Sequence, residues 1–367
     1  MNSIISLDWL SFTGTLNYFT NEIYHPVNNG NYSSQRMEKT TPHYINIDNY
    51  YKDGMLYFTI LSNPRNSFLS KNSCQVKLNN ELLYSQELEL VIQEIKECGV
   101  NFHCLTRIDI CIDFLKFDSG LKPTNFIDKF LKNKFIKLGK SKLSVFGSHY
   151  RKIEYNALNF KNKGSNISWK LYNKSLELKE VKDKFYIRQM WNEAGYQEGI
   201  DDDVWRLELS LINLSVNHLS FQENFDVFSK LEFVINPMYQ QFIFNHYLDS
   251  SFRFKFNTHQ KNISREKDVL LFHHNQTIFK RLKLNGFNRD NLYKRTITNL
   301  ITTIGNQAIK DCEQLDNAVD TIINIVRSCE LEDYLLSKYG IDIELLDKYK
   351  NILFIPENNY EEFVFSL

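Results

Sequence analysis

Alternation of residue type over 103–114 restricts the fold of this chain more than any other feature of its sequence. Because successive side chains of a β-strand point to opposite faces, a period of two predicts a strand with two different faces. One face carries Thr106, Ile108, Ile110, Ile112 and Phe114. The other face carries His103, Leu105, Arg107, Asp109, Cys111 and Asp113. The strand is therefore expected to lie in a sheet that is packed on one side and carries charge on the other.

A second strand of the same kind is predicted over 204–211, where Arg206, Glu208 and Ser210 share one face. Further strands are predicted at 4–12, 57–61 and 168–173, with two short ones within 141–160. The polar segment 13–53 is typical of loop, with room for a hairpin. Helical spacing of apolar residues predicts helices over 82–98, 125–135 and 175–194, and helical stripes at 297–304 and 315–326.

The chain has 367 residues, a length typical of two domains, or of one large domain with an appendage. The sequence contains no run of about 18 apolar residues, so no membrane span is predicted. The N-terminal segment lacks the basic start of a signal peptide, so a signal peptide is not expected. The six cysteines form no CxxC pair, which favours reduced thiols and a cytoplasmic location.

Two carboxylates stand in the middle of the charged faces, Asp109 on the first strand and Glu208 on the second. A buried carboxylate needs a partner, so one interpretation is a structural salt bridge with Arg107 or Arg206. The other is a divalent cation, because all-oxygen ligands suit Mg²⁺ or Mn²⁺. Asp113 lies roughly 13 Å along the strand from Asp109, so both bind one ion only if the strand bends.

Tyr172 lies where a predicted strand passes into a predicted helix, and it shares a strand face with Lys170 and Lys174. A free tyrosine has a pKa near 10 and is a poor nucleophile unless it is activated. A neighbouring ammonium and a metal-bound phosphate would both activate it. The alternative is that Tyr172 packs at the edge of the sheet.

Three motifs that carry these residues occur in a fixed order along the chain. They are Arg107-x-Asp109-x-x-x-Asp113, Tyr172-x-Lys174-x-x-Glu177 and Arg206-x-Glu208-x-x-Leu211. The ordered set resembles the replication-initiation-factor family, which comprises initiators of rolling-circle plasmids of the staphylococcal type and related relaxases of conjugative transposons. The resemblance extends over roughly residues 4–240 and includes the opening segment 7–12.

The resemblance implies a nicking and joining enzyme that acts on DNA at an origin hairpin or a single-stranded nick site. Tyr172 would attack the scissile phosphate and leave a 5′-phosphotyrosyl link and a free 3′-OH. Lys174 would contact the phosphate or lower the pKa of Tyr172. Members of the family commonly act as homodimers and recruit a host helicase, and both partners are implied here.

The resemblance also implies a metal site. Asp109 and Glu208 would hold Mg²⁺ or Mn²⁺ as a Lewis acid, with Asp113 as a further ligand if the strand bends. Arg107 and Arg206 would orient these acids or touch the DNA.

The formal net charge of the chain is zero, with 44 basic and 44 acidic residues, but the charge is unevenly distributed. Residues 101–190 contain 19 Lys and Arg against 8 Asp and Glu, a net charge of +11, so the remainder carries −11. This segment is either a solvated lysine-rich face or a phosphate-binding surface, and its overlap with the tyrosine motif favours the second. The residues predicted to contact DNA are Lys140, Lys142, Arg151, Lys152, Lys161, Lys163 and Lys170. A second basic cluster between 280 and 295 is predicted to be either a duplex-DNA contact or the charged face of an amphipathic helix.

We therefore expect an α+β fold with a mainly antiparallel sheet flanked by helices in a catalytic domain, residues 1–240. A mostly helical region, residues 241–367, would serve origin binding or dimerisation. Two other functions stay open at this point: a metal-dependent hydrolytic nuclease that uses water, and a non-catalytic DNA-binding regulator of the same fold.

Overall fold

The chain forms two compact units, residues 1–285 and 286–367. The computed structural model describes residues 3–17, 32–52, 54–149, 153–161, 164–181, 183–197, 201–214, 219–221, 225–274, 276–278, 281–282, 315–328, 332, 336 and 342–349. The predicted stripe at 297–304 lies outside these residues, as do Arg151, Lys152, Lys163 and, apart from Arg281, the basic residues of the second cluster.

The first unit is built on one large sheet, which confirms the predicted α+β fold. Its strands are β1 (Ile4–Leu16), β2 (Ser33–Arg36), β3 (Tyr44–Lys52), β4 (Met55–Pro64), β5 (Ser73–Leu78), β6 (Val100–Phe114), β7 (Phe135–Lys137), β8 (Lys142–His149), β9 (Ile153–Lys161), β10 (Ile167–Asn173), β11 (Trp205–Ile212), β12 (Ser220–Phe221), β13 (Phe225–Asp226), β14 (Phe254–Phe256) and β15 (Thr277–Ile278). Among the described residues, eleven of them form this sheet in the order β2-β3-β4-β5-β1-β6-β11-β10-β9-β8, with β15 alongside β1. Only the β1–β15 pair is parallel in the described part of this sheet.

Helices pack on both sides of this sheet. They are α1 (Leu88–Glu97), α2 (Pro123–Leu131), α3 (Lys174–Glu180), α4 (Phe185–Glu193), α5 (Leu231–Ile235) and α6 (Pro237–Ser251), with short 3-10 helices at Glu81–Tyr84, Val227–Ser229 and Ile263–Arg265. Helix α6 spans the predicted domain boundary at residue 240 and packs on β1 and β6, so the first compact unit continues to residue 285. In the described chain no helix is long and apolar enough to cross a membrane.

The second unit contains two described helices, α7 (Leu315–Ser328) and α8 (Ile343–Tyr349). Helix α7 confirms the predicted stripe at 315–326. An ion pair of 2.8 Å between Arg327 and Asp347 joins the two helices. The predicted role of this region in origin binding or dimerisation stays a prediction.

The central strands follow the period of two that the sequence predicts. On the apolar face, Ile108, Ile110 and Ile112 of β6 are fully buried, as are Leu207 and Leu209 of the neighbouring β11. These side chains form the apolar core of the sheet, and the polar side chains of the same strands lie on the opposite face.

Two helices cover the apolar face further along the sheet. The Trp169 ring of β10 contacts Phe244 of α6 edge to face, with the centroids 5.3 Å apart. The Phe160 ring of β9 contacts Phe130 of α2 in the same manner at 5.7 Å. Aromatic pairs of this geometry add to the stability gained from burial alone.

The predicted single helix over 175–194 is wrong, because the structure divides it into α3 and α4. The backbone of Lys184 is extended between them, and its ammonium donates to Asn80 at 3.0 Å. The helical spacing of apolar residues continues across this break, so the sequence pattern does not reveal that the helix is interrupted.

Gly14 marks a tight point in the core of the sheet. The register of β1 against β6 shifts between Thr13 and Gly14. A Cβ atom on Gly14 would lie 2.4 Å from the backbone oxygen of Asn101. Only glycine lets the two strands approach so closely.

The substitution Gly14→Ala is therefore expected to lower the free energy of unfolding by about 1–3 kcal/mol, the usual cost of overpacking. Urea denaturation followed by circular dichroism measures the loss. Thr15→Ala, at an exposed position on the same strand, serves as the control and is expected to change stability by less than about 1 kcal/mol. Equal midpoints for Gly14→Ala and the wild type would show that the strands relax around the methyl group.

Candidate active site

Three rows of side chains cross the polar face of the sheet. Since directly paired residues of antiparallel strands point to the same face, the register defines each row. Across β6, β11, β10, β9 and β8, the first row is Asp113, Arg206, Tyr172, Ala157 and Phe146. The second row is Cys111, Glu208, Lys170, Asn159 and Ser144, and the third is Asp109, Ser210, Ser168, Lys161 and Lys142.

A cleft of about 500 Å³ opens over these rows. Its lining includes six of the predicted site residues, namely Arg107, Asp109, Lys170, Tyr172, Lys174 and Glu208. The lining is completed by Asp8, Trp9, Phe146, Ala157, Leu158, Asn159, Glu177 and Lys184. Thus four elements, β6, β10, α3 and β11, bring the three sequence motifs to one place.

Arg206 and Asp113, which were also predicted for the site, lie beneath the cleft and are fully buried. The Arg206 guanidinium donates to both carboxylate oxygens of Asp113, at 2.6 and 2.7 Å. The indole of Trp191 donates to the same carboxylate at 2.8 Å. Both Asp113 oxygens are therefore occupied by these donors, which makes the carboxylate a structural anchor in this arrangement.

The third donor of Arg206 reaches Asp8, whose carboxylate accepts its hydrogen bond at 2.8 Å. Asp8 is the extra residue of a β-bulge, because Leu7 pairs with Ile110 while Trp9 pairs with Asp109. Bulges redirect side chains next to functional sites, and this one brings Asp8 to the polar face.

The charges around Asp8 decide its ionisation. Burial on its own would raise the pKa of Asp8, but the positive charges of Arg206, Lys174 and Lys184 outweigh burial and hold the pKa well below its usual range. Tyr84 also donates a hydrogen bond to the carboxylate at 2.7 Å. Asp8 is therefore an anion that anchors cations at the floor of the cleft.

Asp109 and Glu208 are diagonal neighbours on adjacent strands, and each has a cationic partner. The Arg107 Nε atom donates to Asp109 at 3.0 Å, and the guanidinium stacks on the Trp9 ring at 4.7 Å from its centroid. Lys170 Nζ donates to Glu208 Oε1 at 2.9 Å. The salt-bridge interpretation therefore describes the resting arrangement, with Lys170 rather than Arg206 as the partner of Glu208.

The Tyr172 hydroxyl donates to Glu208 Oε2 across 3.2 Å. Burial raises the pKa of Tyr172 well above its ordinary value, and the charge of Glu208 adds to the rise, while Arg206 opposes it. The phenol is therefore protonated at neutral pH, and its hydrogen bond points to a carboxylate able to take up its proton.

Lys174 is the first residue of α3 and is almost fully buried, with 1% of its surface exposed. Its ammonium lies 5.4 Å from the centroid of the Tyr172 ring and donates to Glu177 at 2.7 Å. Burial lowers the pKa of Lys174, and repulsion by Arg206 lowers it further. The Lys174 ammonium thus lies against the Tyr172 ring although Lys174 belongs to α3 rather than to the strand, and the net shift in the pKa of Tyr172 is upward.

The carboxylates of the cleft are the candidate ligands for the Mg²⁺ or Mn²⁺ ion that the sequence predicts. In the described residues no group of three or more His, Cys, Asp or Glu side chains is placed to hold a metal ion. Mg²⁺, however, usually binds through one or two carboxylates together with water and substrate phosphates. Asp109 and Glu208 supply two carboxylates on adjacent strands, so the pair fits an ion of that kind and leaves Asp113 out.

The basic residues predicted to contact DNA fall into two places. Lys142 and Lys161 are directly opposite each other on β8 and β9 and share the polar face with Lys170. Lys140 instead lines a second cavity of about 370 Å³ beside Leu143. Lys142 and Lys161 therefore continue the polar face beyond Lys170 to β8, the last strand in the described part of the sheet, whereas Lys140 lies before β8.

Sequence reasoning missed several residues of the cleft, among them Asp8, Trp9, Phe146, Asn159 and Lys184. One signal for Asp8 was present, since a carboxylate interrupts an otherwise apolar strand. The exposed Phe146 and the helix break at Lys184 carry no comparable signal, because both depend on which strands are neighbours.

The chain is similar to a solved structure. That structure is a rolling circle replication initiator protein from Geobacillus stearothermophilus, with 12% sequence identity, a TM-score of 0.44 and an alignment that covers 73% of this chain and 92% of that one. No family model and no curated protein matches the chain.

The pairing of Arg206 with Asp113 leads to a test of stability. Asp113→Asn leaves a buried guanidinium without its full countercharge, so the free energy of unfolding is expected to fall by about 3–5 kcal/mol. Chemical denaturation measures it. Asp128→Asn, which removes an exposed pair with Lys132 on α2, is the control and is expected to cost less than about 1 kcal/mol. A small loss for Asp113→Asn, no larger than the control, would contradict the anchoring role.

Proposed function

We propose that this protein is a DNA nicking and joining transesterase with Tyr172 as its nucleophile. The observation that carries the proposal is the hydrogen bond from the Tyr172 hydroxyl to Glu208 inside a cleft that also holds Asp109, Arg107 and Lys174. A nucleophile that is hydrogen-bonded to a proton acceptor, with cations close by, is the arrangement that covalent catalysis requires.

The reaction step follows from these positions. The Tyr172 oxygen attacks the scissile phosphorus, and its proton passes by way of Glu208 to solvent, so that Glu208 is again a carboxylate at the end of the step. A bond forms between the tyrosine oxygen and phosphorus, while the bond from phosphorus to the 3′ oxygen of the preceding nucleotide breaks. The leaving oxygen takes up a proton and becomes a free 3′-OH, and the following strand stays attached through a 5′-phosphotyrosyl link. Attack by a 3′-OH on this link reverses the step and joins DNA.

Asp109 and Glu208 would hold a divalent cation, which when bound supplies Lewis-acid polarisation of the phosphate. Arg107 and Lys170, the resting partners of the two carboxylates, would then become available to the phosphate oxygens. Guanidinium and ammonium groups bind phosphate through charge-assisted hydrogen bonds. Trp9 holds the Arg107 guanidinium in place beside Asp109.

Two further lysines support a nucleic-acid substrate. Lys142 and Lys161 are directly opposite each other on the polar face, so both ammonium groups lie on the side of the sheet that carries Tyr172. Lysine side chains of this kind bind backbone phosphates of nucleic acids. A strand of DNA would therefore run from Tyr172 across the second and third rows towards β8.

The biological role we propose is initiation of rolling-circle replication, or strand transfer, of a plasmid, phage or integrative element. A free 3′-OH primes synthesis, and a covalent 5′ end retains the strand for joining. The homodimer and the host helicase belong to the same proposal. A hairpin-forming inverted repeat beside the coding region would favour an initiator, and adjacent transfer genes would favour a relaxase.

Removing the hydroxyl of Tyr172 provides the decisive variant. Tyr172→Phe is expected to reduce nicking by at least about a thousandfold, the loss typical of a missing nucleophile. The assay uses single-stranded oligonucleotides that tile the DNA flanking the gene, with Mn²⁺, and follows both cleavage and protein–DNA adducts on denaturing gels.

Tyr155→Phe is the matched control, because Tyr155 lies on β9 outside the lining of the cleft. It is expected to retain activity. Cleavage by Tyr172→Phe without an adduct would identify a hydrolytic nuclease that uses water. Binding without nicking in the wild type would identify a non-catalytic DNA-binding protein.

The carboxylate pair predicts a metal requirement. Chelation is expected to abolish nicking and added Mn²⁺ to restore it, and Asp109→Asn or Glu208→Gln is expected to weaken Mn²⁺ binding by at least about tenfold. Electron paramagnetic resonance measures bound Mn²⁺ directly. Glu177→Gln alters another carboxylate of the cleft and should leave Mn²⁺ affinity unchanged. Equal weakening in all three variants would place the ion elsewhere.

A further inference from the structure

Phe146 is a large apolar side chain that stands open to solvent at the wall of the cleft. It is 56% exposed and lies on β8, the last strand of the sheet among the described residues. The register places it in the first row, where Ala157 separates it from Tyr172. Exposed aromatic side chains in a charged cleft are the platforms on which single-stranded nucleic acids stack their bases.

The small side chain of Ala157 creates space beside this ring. Since neighbouring strands lie about 4.8 Å apart, the backbones of β8 and β10 are separated by roughly 9–10 Å at this row. In this row the side chain between Phe146 and Tyr172 is the methyl group of Ala157. A flat ring can therefore lie against Phe146 while the tyrosine hydroxyl stays accessible.

Asn159 adds a polar group next to this space. It follows Ala157 on the same face of β9 and lines the cleft. Its Oδ1 atom is buried and has no hydrogen-bond partner among the described residues. Buried polar atoms in native proteins nearly always have partners, so an acceptor of this kind favours a ligand that brings a donor. The exocyclic amino group of a nucleobase is such a donor.

The charges nearby match the rest of a nucleotide. Lys170 is next to Asn159 in the second row, and Lys161 is paired with Lys142 in the third. Aromatic, polar and cationic side chains thus lie within three adjacent rows on three neighbouring strands, β8, β9 and β10. This combination suits a base together with its backbone phosphates.

We propose that Phe146, Ala157 and Asn159 form a subsite for one unpaired nucleobase of a DNA strand. Placing this base next to the phosphate that Tyr172 attacks rests on the proposed function, whereas the subsite itself does not. Stacking requires a free base face, so the strand must be single-stranded or locally opened at this position. Phe146 would supply the stacking surface, Ala157 the space, and Asn159 the acceptor for an amino group.

The test compares two short single-stranded probes of equal length by fluorescence anisotropy, in the presence of a chelator to prevent cleavage. One is an oligodeoxythymidylate, and the other has the same backbone with abasic residues. Phe146→Ala is expected to bind the thymidylate probe about 5- to 150-fold more weakly than the wild type, the range of one stacked base. Its affinity for the abasic probe should not change, and Phe146→Trp should restore thymidylate binding.

Val145→Ala is the matched control, since Val145 is the adjacent residue on β8 and points to the other face. It should bind both probes as the wild type does. Equal affinity of Phe146→Ala and the wild type for the thymidylate probe would overturn the subsite. So would conversion of a dimer into a monomer by Phe146→Ala with DNA affinity unchanged, because the ring would then belong to a protein interface.

Asn159→Ala tests the polar part of the subsite. It is expected to weaken binding of an oligodeoxycytidylate, whose bases carry an amino group, more than binding of the thymidylate. Equal weakening of the cytidylate and abasic probes would overturn the role of Asn159.

The nicking assay separates this proposal from the proposed function. If Phe146→Ala weakens thymidylate binding but the wild-type protein nicks no DNA, only the proposed function is overturned. If the wild-type protein nicks DNA but Phe146→Ala binds the thymidylate probe with full affinity, only the subsite is overturned.

Discussion

The buried guanidinium of Arg206 is the interaction on which the polar face of the sheet depends. It is fully enclosed and binds Asp113 of β6 through two hydrogen bonds and Asp8 of β1 through a third. A charge without solvent requires such partners, because leaving it unpaired is strongly unfavourable. One side chain of β11 therefore ties together three strands and holds the bulge that presents Asp8.

This anchor determines the electrostatics above it. Arg206 opposes the rise in the pKa of Tyr172 and contributes to the fall in the pKa of Lys174. It does so from beneath the cleft, because Arg206 is not one of the lining residues. Glu208 raises the pKa of Tyr172 through its charge and also accepts the hydrogen bond of the Tyr172 hydroxyl. The resting cleft is thus a set of paired charges around a protonated Tyr172. Under the proposed function, an arriving phosphate would exchange these pairs for its own.

The period of two in the central strands was sufficient to predict the sheet, its apolar core and the face that carries Asp109, Glu208 and Tyr172. It was not sufficient to predict the partners of these residues. Asp113 has the same alternation as Asp109, yet it binds Arg206 beneath the cleft, because the pairing of β6 with β11 brings those two residues together. Strand neighbours follow from the whole topology rather than from local pattern.

The same limit explains the residues that were missed. Asp8 reaches the site through a bulge whose position depends on the pairing of β1 with β6. Lys184 reaches it because the chain turns between α3 and α4, and Phe146 because β8 lies two strands from β10. Each is a long-range consequence of the fold, whereas the tyrosine motif is local and could be recognised from its spacing.

The most direct test of the account is to identify the residue that becomes attached to DNA. The protein would be incubated with Mn²⁺ and its nicked single-stranded substrate, digested with protease and nuclease, and analysed by tandem mass spectrometry. We expect a nucleotide linked through its 5′ phosphate to Tyr172 in the peptide that spans the end of β10. A nucleotide on a different residue, or cleaved DNA whose 5′ phosphate is free of protein, would contradict the assignment of Tyr172 as the nucleophile.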